Sequence, residues 1–188
     1  MVGQLPVDSY NAGTRRRPMS TTESMSVEAV QAAWASLLER VRIGVLLTMR
    51  QGHPFGSHVP FLLGEDWSRV YVHLSRLALH TQHPLDDPRV SLFIAEADEP
   101  GRNPLALQRM NLRGTAAILS KSDPAYDDVQ QRYLAKFPQS RMLFGFADFA
   151  LWTFQMSEAH LVLGFGQAYQ AFAAAPGQWI HQKPAKQS

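Results

Sequence analysis

The sequence predicts a mainly β fold of the α+β kind: a small antiparallel barrel with a few short helices on its flanks. Three observations lead there. Short runs with strand periodicity recur along the chain, at 43–49, 57–63, 69–75, 90–95 and 112–118. The helical stretches between them are too few and too short to serve as the crossovers of parallel βαβ units. The signatures of familiar nucleotide and hydrolase folds are missing: no Gly-rich phosphate loop opens a helix, and there is no HExxH or GxSxG.

Composition narrows the class. A length of 188 residues suits one domain with some tail. The absence of cysteine excludes disulfides, a thiolate nucleophile and zinc-thiolate or iron–sulfur sites, so any metal must be held by His, Asp, Glu or Met. A formal charge of +2 is a poor basis for nucleic-acid binding. No apolar run approaches the roughly 20 residues that span a bilayer, and the N-terminus lacks the apolar core of a secretory signal. The expectation is a cytoplasmic protein with neither nucleic acid nor membrane as partner.

Three segments follow in order. Residues 1–22, rich in Gly, Pro, Ser and Thr and carrying Arg15, Arg16 and Arg17, read as a disordered tail; 23–172 form the barrel domain; 173–188 lose periodicity and read as a C-terminal tail. Ser26 is a good N-cap for a helix that puts Val27, Val30, Trp34, Leu37, Leu38 and Val41 on one face. The continuous apolar run 43–49 suits a strand covered on both faces, and a turn at 51–54 joins it to the run 57–63. Pro60 lies inside that second run and cannot donate a ladder bond, which marks an edge or a bulge.

Val70, Val72 and Leu74 alternate with Tyr71, His73 and Ser75, the period of a half-buried strand. Ser75, Arg76, His80, Thr81 and His83 follow at its exit, where hydroxyls, a guanidinium and imidazoles can hold an anion if the backbone gathers them on one side. Further on, Arg113 lies on a strand beside small residues, placed to reach a phosphate or propionate across a barrel mouth. Asp123 and Pro124 start a helix whose buried face is Tyr126, Val129, Tyr133 and Phe137. Asp148 sits among four phenylalanines and Trp152, where an acid needs a partner. His160 opens the last strand, and Gly164 and Gly166 bracket Phe165 where the backbone needs an unusual conformation or a close approach.

The stretch SRLALHTQHPLDDPRVSL resembles the flavin-phosphate segment of the pyridoxamine 5'-phosphate oxidase-like, FMN-binding split barrels. The residue at the position of His80 is a lysine in most of those flavoproteins; the histidine here resembles the HugZ/HutZ haem-utilisation branch. NPLALQRMNLRGTA, FGFADFALW and AHLVLGFGQAY agree with that branch, and together these stretches span most of 43–169.

The resemblance implies a six-stranded split barrel that forms a homodimer with small-molecule cofactor sites at the subunit interface. It further implies haem binding and degradation, with His80 and Asp148 meeting across that interface as the catalytic pair. By position only, His181 matches the axial haem ligand of the family's C-terminal tail. The alternative is an FMN-dependent oxidoreductase or flavin carrier, in which Ser75, Arg76, Thr81 and Arg113 hold the phosphate and the strand backbone around Ser57 and Val59 lies against the ring. A dimer whose ancestral site is empty is the third reading.

Overall fold

A computed structural model describes residues 24–183. The expected tail over 1–22, and 184–188 of the C-terminal tail, lie outside the described residues. The first helix, α1 (Val27–Arg40), is capped as its sequence dictates: the Ser26 hydroxyl accepts the Ala29 N–H at 3.2 Å, and Val30, Leu37 and Leu38 enter the core. Val27, expected on that face, is exposed in the first turn.

β1 (Ile43–Arg50) and β2 (His53–Pro60) form a hairpin turned by Gln51 and Gly52, both with left-handed φ of 50° and 81°, as a two-residue turn requires. β2 therefore starts at His53, ahead of the expected run at 57. At Pro60 the chain leaves β1. Phe61 N–H donates to Arg42 O, and β3 (Leu62–Leu63) goes on to pair with β4 (Arg69–Ser75). After α2 (Leu79–Asp86) come β5 (Arg89–Ala95), β6 (Arg109–Ile118), α3 (Tyr126–Lys136) and β7 (Phe149–Val162). All pairings are antiparallel. With β2 and β3 taken as one bent strand, the order β1, β5, β6, β7, β4, β3/β2 closes a six-stranded barrel, as expected. β8 (Ala168–Phe172) and β9 (Ile180–His181) extend the sheet beyond β7.

The core fills the barrel with Leu46, Val59, Leu92, Ile94, Met110, Leu112, Trp152, Phe154 and Met156. A second cluster lies outside it. There α3 lays Tyr126, Val129, Tyr133 and Phe137 over Leu62, Tyr71 and Leu151. β4 is consequently buried on both faces from Val70 to Leu74, not half-buried as its alternation implies. The opposite correction applies to β1, where Gly44, Leu46 and Thr48 are buried but Val45, Leu47 and Met49 are only partly covered. His160 lies within β7 rather than opening a strand.

The segment after Phe172 is packed on the barrel. Trp67 donates its indole N–H to Pro176 O at 3.1 Å and stands 6.1 Å from the buried Trp179 ring, while Gln182 N–H donates to Ala168 O at 2.7 Å. The turn between β7 and β8 uses the two glycines as expected, with φ of 135° at Gly164 and 72° at Gly166.

Candidate functional site

The partly covered side of β1 is one wall of a cleft of about 730 Å³ on the outer face of the sheet. Its floor is apolar, from Leu47, Met49, Pro54 and Val90, and its rim is polar, with Arg89, Ser91, Arg113, Thr115, Gln155 and Ser157. That size and lining suit a small-molecule site. The register explains the gathering. Leu47 faces Ser91, Ser91 faces Arg113 and Arg113 faces Glu158, so one row crosses four strands on the same side.

Glu158 reaches that row only through a break in periodicity. Met156 faces the core, and strict alternation would put Glu158 beside it. The pairing shifts at Arg113/Gly114, however, leaving Ser157 as the extra residue, so Glu158 turns outward while Ala159 and Leu161 take the inward positions. Gly114 makes this possible. A Cβ there would come within 2.0 Å of Gln155 O and 2.6 Å of Met156 Cα, so the strands can approach this closely only without one. Once outside, Glu158 accepts from Arg113 Nη2, from Gln170 Nε2 at 2.5 Å, and bonds His160 Nε2 at 2.7 Å. Burial raises its pKa, but those hydrogen bonds outweigh burial and hold it below the usual range. Arg113 is thereby fixed at the rim.

A second polar locus forms at the other end of β7. Ser75 Oγ donates to Asp148 Oδ2 at 2.6 Å, Arg76 N–H donates to Asp148 O at 2.6 Å, and Arg76 Nη2 donates to Ala147 O at 2.7 Å. Thr81 Oγ1 is shared between Ser75 O and Ala78 O at 2.6 and 2.7 Å. Four of the residues singled out in sequence thus come together. The Ser75 and Thr81 hydroxyls, however, are engaged by protein acceptors, a carboxylate among them, and Arg76 gives one guanidinium N–H to Ala147 O. His80 stands half-exposed in the first turn of α2, its pKa lowered by burial and by His83.

Arg113 is not part of this locus. It pairs with Glu158 and Ser75 with Phe149, nine residues apart on β7, or roughly 30 Å at about 3.3 Å per residue. Within one chain the expected grip of Ser75, Arg76, Thr81 and Arg113 on one phosphate is therefore not assembled. Ser57 and Val59 pair with Leu46 and Gly44, and the Val59 side chain is fully buried in the core, so Pro54 is the β2 residue at the cleft.

His181 is held on β9. Its Nε2 lies 2.9 Å from Gly166 O, an acceptor, so this nitrogen carries the proton and Nδ1 keeps the lone pair. Nδ1 is buried without a hydrogen-bond partner among the described residues, and the ring lies 5.0 Å from Tyr169. A ring N–H given to a carbonyl is the arrangement of a metal-ligating histidine. The nitrogen left free is the one beside Cβ, which crowds a porphyrin face, and the ring shares the inward side of the sheet with Tyr169 and Leu161, so ligation of iron would require β9 to move. No three His, Cys, Asp or Glu side chains are grouped to hold a bare metal ion among the described residues, and none of the described helices is long and apolar enough to cross a membrane.

Sequence reading missed Glu158, whose outward position depends on the bulge, and Arg89, which it treated only as part of the Asp-Pro-Arg-Val motif. Alternation from Arg89 through Ser91 was the available signal. It also missed His73, buried beneath α3 and stacked on Phe144 at 3.7 Å and 5°, with burial lowering its pKa to about 4.

The fold and cleft define a class: a split barrel with an apolar, guanidinium-rimmed site on its outer sheet face. No family model matches the chain. It is 34% identical over 149 residues to the chloroplastic heme oxygenase HOZ of Arabidopsis thaliana, covering 74% of this chain and 44% of that one. With the heme oxygenase HutZ of Vibrio cholerae it shares 25% identity over 146 residues, covering 76% of this chain and 81% of that one. The crystal structure of Campylobacter jejuni ChuZ has the same fold, with a TM-score of 0.74 at 17% identity, covering 90% of this chain and 69% of that one. These likenesses support the HugZ/HutZ branch of the pyridoxamine 5'-phosphate oxidase-like split barrels as the family that the chain resembles. It spans less than half the length of the Arabidopsis relative.

Proposed function

We propose that this chain is a cytoplasmic haem-utilisation protein that binds haem in the outer-face cleft and, as a homodimer, supports its degradation. The cleft carries this reading: an apolar floor suits a flat macrocycle, and Arg113, anchored by Glu158, suits a propionate. The names of the two sequence relatives support it from outside. So does residue 80, a histidine where most of the resembling flavoproteins carry lysine.

The homodimer reading rests on β1. Its residues 43–49 form the pattern of a strand covered on both faces, yet Val45, Leu47 and Met49 are partly bare in the single chain. A second copy on this face would cover them. It would also give His80 and Asp148 of different chains a way to meet, since the Asp148 carboxylate is held within its own chain by Ser75.

Haem, if bound, would supply an iron centre for oxygen chemistry at the macrocycle, with electrons drawn from an external reductant. The residues of this chain perform the rest. The floor excludes water, Arg113 fixes the ligand's edge, and Asp148 orients His80, whose pKa is lowered by burial and by His83. His181, facing inward beside Tyr169, is an iron ligand for this cleft only if β9 moves.

The visible spectrum of protein purified from cells tests the reading. A Soret band that grows on adding haemin supports it. A flavin doublet in the blue and near-ultraviolet, unmoved by haemin, would replace it with the FMN reading.

A further inference from the structure

Two guanidinium groups face the cleft, and the second has no role in the reading above. Arg89 opens β5, and the register sets it opposite Thr115 while Ser91 stands opposite Arg113. Arg89 and Arg113 are therefore diagonal neighbours on adjacent strands, with Cβ atoms roughly 7–8 Å apart.

Each is held from behind by a carboxylate. Asp87 takes Arg89 side-on: Nε donates to Oδ1 at 2.8 Å and Nη2 to Oδ2 at 2.5 Å, while Oδ1 also accepts the Arg89 backbone N–H at 3.1 Å. A guanidinium carries five N–H donors in one plane. This fork uses two of them and leaves the other three to face a ligand. The same hydrogen bonds lower the Asp87 pKa to about 2, so the anchor stays ionised at neutral pH. Glu158 holds Arg113 at a single point, through Nη2.

Because each guanidinium is paired, the rim carries little net charge from these four residues. What it offers an anion is direction: donors fixed in the plane that their carboxylates set. A solvated surface ion pair would share the exposure of these arginines, 75% and 60%. It would not place two carboxylate-anchored guanidinium groups, one of them held side-on, on one cleft above an apolar floor.

We infer that Arg89, oriented by Asp87, is a second anion-binding residue of the cleft, and that Arg89 and Arg113 together select a flat apolar ligand bearing two separate carboxylates over one bearing a single phosphate. This rests on the reading of the cleft as a tetrapyrrole site. Arg89 contacts the ligand; Asp87 acts through it as a positioning residue.

Protoporphyrin IX, free of metal and so independent of any iron ligand, is the probe, titrated by fluorescence into the full chain. Its dimethyl ester and FMN are the comparisons. Arg89→Ala should weaken protoporphyrin IX binding about tenfold, or 1.4 kcal/mol, and Arg89→Lys should weaken it less. The ester should bind the wild type weakly and be indifferent to Arg89→Ala. Asp87→Asn separates direction from charge. It removes a negative charge, so Coulomb attraction alone would tighten binding of a dianion, whereas loss of the fork should weaken it about fivefold or more. Thermal midpoints within a degree or so of wild type would verify folding for these exposed positions.

Unchanged protoporphyrin IX binding in Arg89→Ala and Arg89→Lys, with the wild type binding well, would overturn the inference and leave the haem reading standing. Equal or tighter binding in Asp87→Asn would overturn the orienting role. A wild type that binds FMN and not protoporphyrin IX would remove the haem reading and this inference together.

Discussion

Acid should loosen this fold through one buried side chain, His73. Its ring lies flat on Phe144 at 3.7 Å, meets Phe149 at 5.3 Å and stands edge-on to Tyr133 at 5.9 Å, and Nδ1 has no hydrogen-bond partner among the described residues. Burial outweighs whatever attraction those rings offer an imidazolium and lowers the pKa from 6.5 to about 4. The unfolded chain therefore takes up the proton more readily. Stability from neutral His73 is complete above about pH 6.5 and is lost as the pH falls toward 4. The full gap corresponds to about 3 kcal/mol, of which about 2 is lost by pH 5. Urea unfolding of wild type and His73→Phe at pH 7.5 and pH 5 measures it. Phenylalanine keeps the stacking and removes the titration, so wild type should lose about 2 kcal/mol more than the variant between these pH values. Parallel losses in the two proteins would refute the cage argument.

Other perturbations have equally definite outcomes. Gly114→Ala forces a Cβ against the β7 backbone and should cost about 2–3 kcal/mol in urea unfolding; a cost under about 0.5 would mean that the bulge does not need glycine. Deleting everything after Phe172 strips Trp179 from Trp67 and β9 from β8, and should lower the thermal midpoint by several degrees; an unchanged midpoint would make this segment a dispensable tail. Asp148→Asn and His80→Ala should each weaken haemin binding or dimerisation, and the double variant should lose less than their sum. Full additivity would show the two residues to be independent.

The barrel was legible because alternation and apolar runs report strands directly, and the hairpin turn, the Pro60 corner and the Gly164 and Gly166 turn each follow from one residue's backbone constraint. What escaped depends on tertiary contact. β4 reads as half-buried because nothing in its own pattern reveals that α3 covers Tyr71 and His73. Glu158 escaped notice because the bulge that turns it outward comes from strand pairing at Gly114, whose need for close approach is visible only beside Gln155 and Met156. Ser75, Arg76 and Thr81, neighbours in sequence, do meet, and Asp148 joins them from far along the chain, but Arg113 lies at the far end of β7. Motif order along the chain carried no information about that distance.

The central claim is that the outer-face cleft binds haem when two copies of the chain meet over it. Sedimentation of the purified protein with increasing haemin, read at the Soret wavelength, tests it most directly. The account predicts a species of twice the chain mass that carries one haem per chain at saturation, its Soret absorbance weakened by Arg113→Ala. Haemin that sediments apart from the protein, or with a monomer and indifferently to Arg113→Ala, would contradict it.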